Sequence, residues 1–504
     1  MCGILCAWGP EQTPIAAQAI DLMQHRGPDG SRSRKVDGLT FGFVRLAIND
    51  HSQNSMQPHK TGDLLGVFNG EVYNHRALRK TFGLQENVAS DTAVILPLFE
   101  KIGRKILDQL DGFFAGIIYD ARSGKLFTLR DSMGKKPLFL VRCGESFLLT
   151  SELKSAPKVD DFQIVPLGIC EIDIKTGKFI PLTRAHTAIE PADNHDLVEA
   201  MRRSVNKRTY CTDLDRFAVF LSGGLDSSII AALVEESPSA ACAQYYFFDD
   251  PKSEDTQYAK EMLAFLNVPQ SRINPVKVPD PVDLPQLISQ VVYFTESYNP
   301  SIISNGVGTF ALARAARRDG HKFALGGDGA DEVFCGYFDP PNFGQDTTWR
   351  ASRLRLLLDL QTTELRRIDG AAMAHAIEVR CPFLDRDVRA YSEGLAYEDL
   401  FGPDKTSPQL KYVLRDAFAH LLPHTIAQRR KLSFDRGTGL QKMVHARCTQ
   451  SGHSEKSRLA ALWRHHFGQT LGQFEHHPYF WSYPAFDPFI ETRGDKYLHA
   501  PSTG

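Results

Sequence analysis

Cys2 stands directly behind the initiator Met. Excision of that Met would leave a thiol and a free α-amine on one residue. The amine titrates near pH ~8 and can take the thiol proton, so a single residue would supply both nucleophile and base. Alone, a cysteine at position 2 is more often an accident than a catalyst. Farther along, Ser222-Gly223-Gly224-Leu225-Asp226-Ser227-Ser228 places glycines, hydroxyls and a carboxylate in one short turn. Glycines permit close backbone approach, and hydroxyls with helix N-terminal N–H groups suit a bound anion. The lysine and spacing of a Walker A loop are missing. Asp226 would repel a triphosphate unless a divalent cation intervened, so metal ligation is its natural role. Gly326-Gly327-Asp328-Gly329-Ala330-Asp331-Glu332 offers further carboxylates, although such a run can be a solvated acidic turn.

The surrounding pattern shows what must position these groups. To about residue 190, short alternating or apolar runs such as 39–44, 64–68, 113–119 and 146–150 are punctuated by Gly and Asp, and helical segments are expected near 14–24 and 91–110. This predicts an α+β sandwich rich in antiparallel strands. Ile189-Glu190-Pro191-Ala192-Asp193-Asn194 has linker composition, which divides the chain into domains 1–190 and 191–504. Beyond it, apolar strands at 217–221 and 322–325 end in Gly or Ser turns and alternate with long helices, the pattern of a doubly wound parallel sheet. A helical pattern is expected at 195–207 and a mostly helical region from 350 to 470, while the last thirty residues show no periodicity.

Composition narrows the function classes. The 504 residues suit two large domains or about three smaller ones. With 58 Lys plus Arg against 60 Asp plus Glu, the net charge of −2 generates no field to draw nucleic acid or anionic membrane, so any anion site must be built locally. No apolar run approaches the ~18 residues of a membrane span and no signal peptide is recognisable, so a cytoplasmic protein is expected. Nine cysteines, an odd number without CxxC or Cys/His spacing, point to reduced thiols and not to disulfides or zinc.

Five blocks of the first domain give Cys2 its context: His25-Arg26-Gly27-Pro28-Asp29-Gly30, Arg45-Leu46-Ala47-Ile48-Asn49-Asp50, Phe68-Asn69-Gly70-Glu71-Val72-Tyr73-Asn74, Ser90-Asp91-Thr92 and the Cys2 terminus itself. In this order they resemble the class II glutamine amidotransferase (N-terminal nucleophile, or Ntn, hydrolase) domain. The resemblance implies that Cys2 attacks the glutamine amide, with the Asn69 side chain and the Gly70 N–H receiving the oxyanion. It assigns glutamine binding to Arg45, Asn69, Gly70, Glu71 and Asp91. Arg45 would pair with the α-carboxylate, Glu71 and Asp91 with the α-ammonium. Read separately, Arg45 and Asp91 would be an ordinary strand-end and helix-cap residue. Residues 130–138 and 151–154 also fit but are read as structural turns.

In the second domain, the 222–228 string resembles the pyrophosphate loop of ATP pyrophosphatases. The 326–334 block, Ala374 to Asp385, and Arg429-Arg430-Lys431-Leu432-Ser433-Phe434 resemble the glutamine-dependent asparagine synthetases and their relatives, the β-lactam synthetases. The likeness runs from Cys2 to about residue 440. It implies ATP binding by Leu221, Ser222, Gly223, Gly224, Leu225, Asp226, Ser227, Phe248, Gly326 and Gly327, with Mg²⁺ held by Asp226 and Asp331. Lys431 would stabilise charge on an acyl-adenylate transition state; outside the match, a lysine in such a basic run is a solvated face. Asp328 departs from the family's glutamate by one methylene close to the expected acceptor, and Leu325-Gly326 is less polar than usual. A methylene is worth ~1–3 kcal/mol of selectivity, which favours an acceptor other than aspartate.

The expected function is therefore a glutamine-hydrolysing, ATP-dependent amidotransferase, a carbon–nitrogen ligase. It would adenylate aspartate or a related carboxylic acid and aminate it with channelled ammonia, releasing AMP and pyrophosphate. Its partners would be glutamine, ATP and the carboxylate, without nucleic acid or membrane, and a homodimer is compatible with the family. Two alternatives compete with it: a β-lactam-synthetase-like cyclase, which needs no ammonia and hence no Cys2, and a non-catalytic glutamine- or ATP-sensing protein, which fold alone does not exclude.

Overall fold

The computed structural model describes the chain apart from residues 1, 85–88, 184–195, 211–215, 338–347, 405–406, 451 and 483–504. The boundary at 190/191, and most of the aperiodic tail, therefore lie outside the described residues.

Twelve strands build the first half: β1 (Gly3–Trp8), β2 (Ser31–Val36), β3 (Leu39–Val44), β4 (His59–Thr61), β5 (Leu64–Val72), β6 (Gly112–Asp120), β7 (Lys125–Arg130), β8 (Phe139–Cys143), β9 (Ser146–Thr150), β10 (Asp161–Ile164), β11 (Gly168–Ile172) and β12 (Phe179–Thr183). They form two six-stranded sheets, ordered β10-β8-β9-β1-β3-β2 and β12-β11-β7-β6-β5-β4, and all the strand pairs are antiparallel. The period-two alternation of β1 explains the layering. Ile4, Cys6 and Trp8 point between the sheets toward Val67 and Ile117. Leu5 and Ala7 point to the other face, against Ile15 and Ala19 of the helix Gln12–Leu22. On the far side, Phe68 and Val72 pack on Ile95 and Leu98. The result is the Ntn-type sandwich of two sheets between helical layers.

The expected helix over 91–110 is broken into the turns Asp91–Val94 and Gly103–Lys105 and the helices Ile95–Ile102 and Ile106–Gln109. Gly103, at φ 57° and ψ −135°, follows the longer of these helices in a positive-φ conformation suited to glycine, which ends its hydrogen-bond ladder.

The second half holds a five-stranded parallel sheet, β15 (Ile273–Lys277)-β14 (Ala243–Asp249)-β13 (Phe217–Phe220)-β16 (Phe323–Leu325)-β17 (Glu378–Arg380). The chain steps outward from β13 to β15 through the helices Leu225–Glu235 and Glu254–Phe265, then returns to β16 on the other side through Leu284–Thr295 and Pro300–Arg318. The direction of winding reverses between β13 and β16, and a crevice opens there, outside the carboxyl ends of the strands. Short helices follow from Thr348–Asp359 to Pro478–Trp481.

One buried apolar cluster runs from Leu5 and Ala7 through Phe217 and Val219 to Trp463 and Phe480, so the two halves share a core. A buried ion pair crosses the junction as well: Arg26, which donates to Glu152 of its own half at 2.8 Å, also donates to Asp369 of the second half at 2.8 Å. Lys135 and Lys136, expected to lie in a structural turn, are also buried at this junction, where Lys135 Nζ donates to the Val379 carbonyl at 2.5 Å.

Candidate active sites

Cys2 immediately precedes β1, and the pairing of Gly3 with Val44 brings it beside Arg45. Its backbone N–H donates to Asn69 Oδ1 at 2.9 Å, and its carbonyl accepts from Arg26 Nε at 3.2 Å. The thiol rests 3.9 Å from the Leu46 carbonyl. Burial pushes the Cys2 thiol pKa up, partly offset by the N-terminal amine, so the sulfur holds its proton until a base removes it. With its Oδ1 engaged, Asn69 keeps a buried Nδ2 that has no hydrogen-bond partner. An unpaired buried donor beside a nucleophile is a costly feature in an inert protein and a useful one toward an oxyanion. Gly70, at φ 146°, lies so close to β6 that a side chain would collide with the Phe113 carbonyl oxygen.

Around this centre, the Arg45 guanidinium is buried and donates to the carbonyls of Ser52 and Asp50 and to the Ser55 hydroxyl. These partners are uncharged, leaving its cation suited to a carboxylate. Glu71 Oε2 accepts from Asn49 at 2.5 Å, and Asp91 Oδ2 accepts from the Val72 N–H at 2.7 Å. Burial, with Asp91 adding to it, raises the Glu71 carboxyl to about 8. Burial raises Asp91 as well. Two carboxyls held this way gain from the arrival of a cation.

The second site lies at the β13–β16 crevice, in a cavity of about 550 Å³. Ser222, Gly224, Asp226 and Ser227 line it after β13; Gly326, Gly327, Asp328 and Asp331 line it after β16. The first loop is closed by its own hydroxyls: Ser222 and Ser227 share a hydrogen bond at 3.0 Å, and Ser227 donates to the Gly224 carbonyl at 3.1 Å. Gly223 turns away at φ 70°, where a Cβ would stand 2.6 Å from the Ala259 nitrogen; packing on the helix Glu254–Phe265 demands glycine there. Leu221 and Leu225 also reach the cavity. Phe248 is buried behind it, its ring stacked on Phe434 with centroids 5.9 Å apart and its carbonyl accepting from Thr256 at 2.7 Å.

Asp226 and Asp331 converge on two lysines. Lys431 Nζ is 2.6 Å from Asp331 and 3.8 Å from Asp226. Lys411 Nζ contacts both carboxylates, at 2.7 Å and 2.5 Å. Burial would raise the Asp331 pKa, but the two ammonium groups outweigh it and hold it down to about 2. Against the same burial, Asp331 and then Asp226 push the Lys431 pKa up. Lys411 was not anticipated from the sequence; its backbone signal is a left-handed φ of 58° on a non-glycine residue, visible only in three dimensions. Asp328 is held by Arg367, whose Nη2 donates at 2.8 Å, and Arg367 also binds Glu364 and Thr309. Arg367 too carries no motif signal. The less polar residue at 326 has a steric counterpart, because a Cβ there would stand 2.7 Å from Asp328 Oδ2.

A cysteine at position 2 beside a two-sheet antiparallel sandwich, joined to a parallel sheet with a Ser-Gly-Gly loop at its crossover, fits the two-domain amidotransferase class. The family model for the glutamine amidotransferase domain matches residues 1–166, and that for asparagine synthase matches 196–359 and 340–488. The chain belongs to the asparagine synthase family. It is 30% identical to asparagine synthetase B [glutamine-hydrolyzing] of Escherichia coli K12, over 84% of this chain and 79% of that protein. It is 29% identical to the probable asparagine synthetase [glutamine-hydrolyzing] of Acanthamoeba polyphaga mimivirus, over 86% and 85%. The asparagine synthetase [glutamine-hydrolyzing] of Gallus gallus is 28% identical over 87% and 84%.

Proposed function

We propose that this protein is a glutamine-hydrolysing, ATP-dependent amidotransferase that converts aspartate or a related carboxylic acid to its amide. The observation that carries this reading is that two chemically complete sites coexist in one chain: Cys2 beside an Asn69 amide whose Nδ2 is unpartnered, and a loop-and-lysine site at the β13–β16 crevice. A cyclase using an internal amine would have no use for the first.

In the glutaminase half, Arg45 holds the α-carboxylate while Glu71 and Asp91 hold the α-ammonium, so both ends of glutamine are read. With Met1 removed, the Cys2 α-amine would take the thiol proton while the sulfur attacks the side-chain amide carbon. Negative charge developing on the amide oxygen meets Asn69 Nδ2 and the Gly70 N–H, an interaction typically worth ~10²–10³ in rate per donor. The amine returns the proton to departing ammonia, and water hydrolyses the thioester to glutamate. Ammonia would have to pass between the sites inside the protein, since release into solvent would convert it to ammonium.

In the synthetase half, the Ser222–Ser227 loop receives phosphates and the acceptor carboxylate attacks the α-phosphorus, releasing pyrophosphate. Lys431 and Lys411 face the charge that builds there. Asp226 and Asp331 are a two-carboxylate oxygen set, the donor type Mg²⁺ uses together with substrate phosphates. When bound, Mg²⁺ would neutralise phosphate charge. Asp328, held by Arg367, is assigned to accept a proton from the ammonia that attacks the acyl-adenylate carbonyl as the bond to AMP breaks and AMP leaves. The cytoplasmic location is proposed from the cysteine spacing, which has no disulfide-framework or zinc pattern; among the described residues, no helix is long and apolar enough to cross a membrane.

The test is to incubate the protein with glutamine, MgATP and aspartate or longer dicarboxylates, following glutamate, pyrophosphate and amide. Stoichiometric formation of all three is expected. Glutamate released without pyrophosphate under every acceptor would overturn the reading.

A further inference from the structure

The glutamine pocket is not built by the first half alone. Arg380 lies at the end of β17, 1% exposed, and its guanidinium reaches across the junction. Its Nη2 stands 3.2 Å from Glu71 Oε1, while Nε donates to Glu378 at 2.7 Å and Nη1 donates to the Arg208 carbonyl at 2.7 Å. Glu71 follows Asn69 and Gly70 on β5, so a cation from the synthetase half touches the wall of the glutamine pocket.

The main chain of the same residue belongs to the other site. Arg380 is paired in register with Leu325 of β16, and its carbonyl accepts from the Gly326 N–H at 3.0 Å. Gly326 opens the loop that lines the nucleotide cavity. One residue thus holds the nucleotide loop by its backbone and the glutamine pocket by its side chain. The start of β16 is tied in the same direction: Lys322 Nζ lies 2.8 Å from Asp29 and donates to the Ala47 carbonyl at 2.8 Å, next to Arg45.

We propose that Arg380 is a positioning residue that couples the two sites. Filling the nucleotide cavity shifts the Gly326–Asp328 loop, and the Gly326–Arg380 main-chain bond passes that shift to the Arg380–Glu71 contact, setting glutamine affinity. The inference rests on the assignment of Glu71 to the glutamine α-ammonium. Because coupling is reciprocal in binding free energy, glutamine changes nucleotide affinity by the same factor.

The test measures glutaminase KM and kcat of the full chain without nucleotide, with MgATP, and with MgATP plus aspartate. It compares wild type, Arg380→Met, Arg380→Lys and Glu71→Gln, with ammonia-dependent amidation run in parallel to report an intact synthetase half. In wild type the glutamine KM should change by about fivefold or more between empty and filled states. Arg380→Met should raise KM, leave kcat less affected and bring that ratio toward one, and Arg380→Lys should restore part of it. A raised KM with the ratio intact, or a wild-type ratio of one, overturns the coupling. If Arg380→Met loses ammonia-dependent amidation, Arg380→Lys decides, and an unchanged ratio in it overturns the proposal. An unaltered glutamine KM in Glu71→Gln would remove the pocket assignment itself, and the coupling with it.

Discussion

Lys431 Nζ lies 2.6 Å from Asp331 Oδ2 although 100 residues separate the two. With Lys411 it forms a cage of two ammonium groups around two carboxylates. Such a cage is balanced as it stands, and phosphate with a divalent cation would replace its contacts pair for pair. Removing one cation leaves a buried carboxylate undercompensated. Lys411→Ala should therefore reduce ATP-dependent pyrophosphate release by at least ~10²-fold, on the scale of a lost transition-state donor, with glutamine hydrolysis largely retained. A pyrophosphate assay on the variant within threefold of wild type would remove Lys411 from the site.

Asp226→Asn and Asp331→Asn test the metal assignment. Each should abolish pyrophosphate release and weaken Mg²⁺-dependent protection of the protein against thermal unfolding in the presence of ATP. Full protection in both variants would place the cation elsewhere.

Cys2→Ala should eliminate glutamine hydrolysis while amidation with high ammonia concentrations continues. Glutamate production at near wild-type rate would show that another group attacks the amide.

The glutamine pocket should respond to pH through Glu71, whose neighbours are Asp91, Asn49, Arg380 and, next to Arg380, Glu378. Its carboxyl is raised to about 8, so below that value it keeps its proton and receives the α-ammonium poorly; above it, the carboxylate is available. The glutamine KM should fall as pH rises from 6.5 to 8.5, by no more than ~10-fold per unit for one proton. A Cys2 α-amine freed by removal of Met1 would titrate near pH ~8 as well, so Glu71→Gln serves as the control: whatever slope remains there belongs to that amine or to the ammonium of glutamine itself. A slope identical in both proteins would exclude Glu71 as its source.

Asp328 and Gly326 share one space, since a Cβ at 326 would stand 2.7 Å from Asp328 Oδ2. Gly326→Ser should push the Asp328 carboxylate off Arg367 and lower kcat/KM for the acceptor about tenfold, a ~1.4 kcal/mol effect. Asp328→Glu should move preference toward aspartate relative to longer dicarboxylates, the methylene being worth ~1–3 kcal/mol. Competition assays with paired acceptors read both. A clear wild-type preference for aspartate would sink the idea of a longer acceptor.

What the sequence determined by itself is what local chain geometry dictates. The short apolar runs at 39–44, 64–68, 113–119 and 146–150 marked strands of the first half, and apolar runs ending in Ser-Gly-Gly and Gly-Gly marked strand-to-helix turns of a parallel sheet. Cys2, Asn69 and Asp226 could be singled out because the role proposed for each goes with a position in a short motif, beside the start of β1, before Gly70 on β5 and at the start of the helix Leu225–Glu235. Lys411, Arg367 and Arg380 were not. A lysine 185 residues from Asp226 carries no spacing signal, and its approach is decided by how the helical region folds back over the crevice. The turn holding Lys135 and Lys136 reads in one dimension only as a structural turn; packing of the two halves buries both lysines against β17. Periodicity reports which face of an element is apolar; which charges meet once those faces close is settled by tertiary packing alone, because burial converts a surface cation into one that must find a carboxylate.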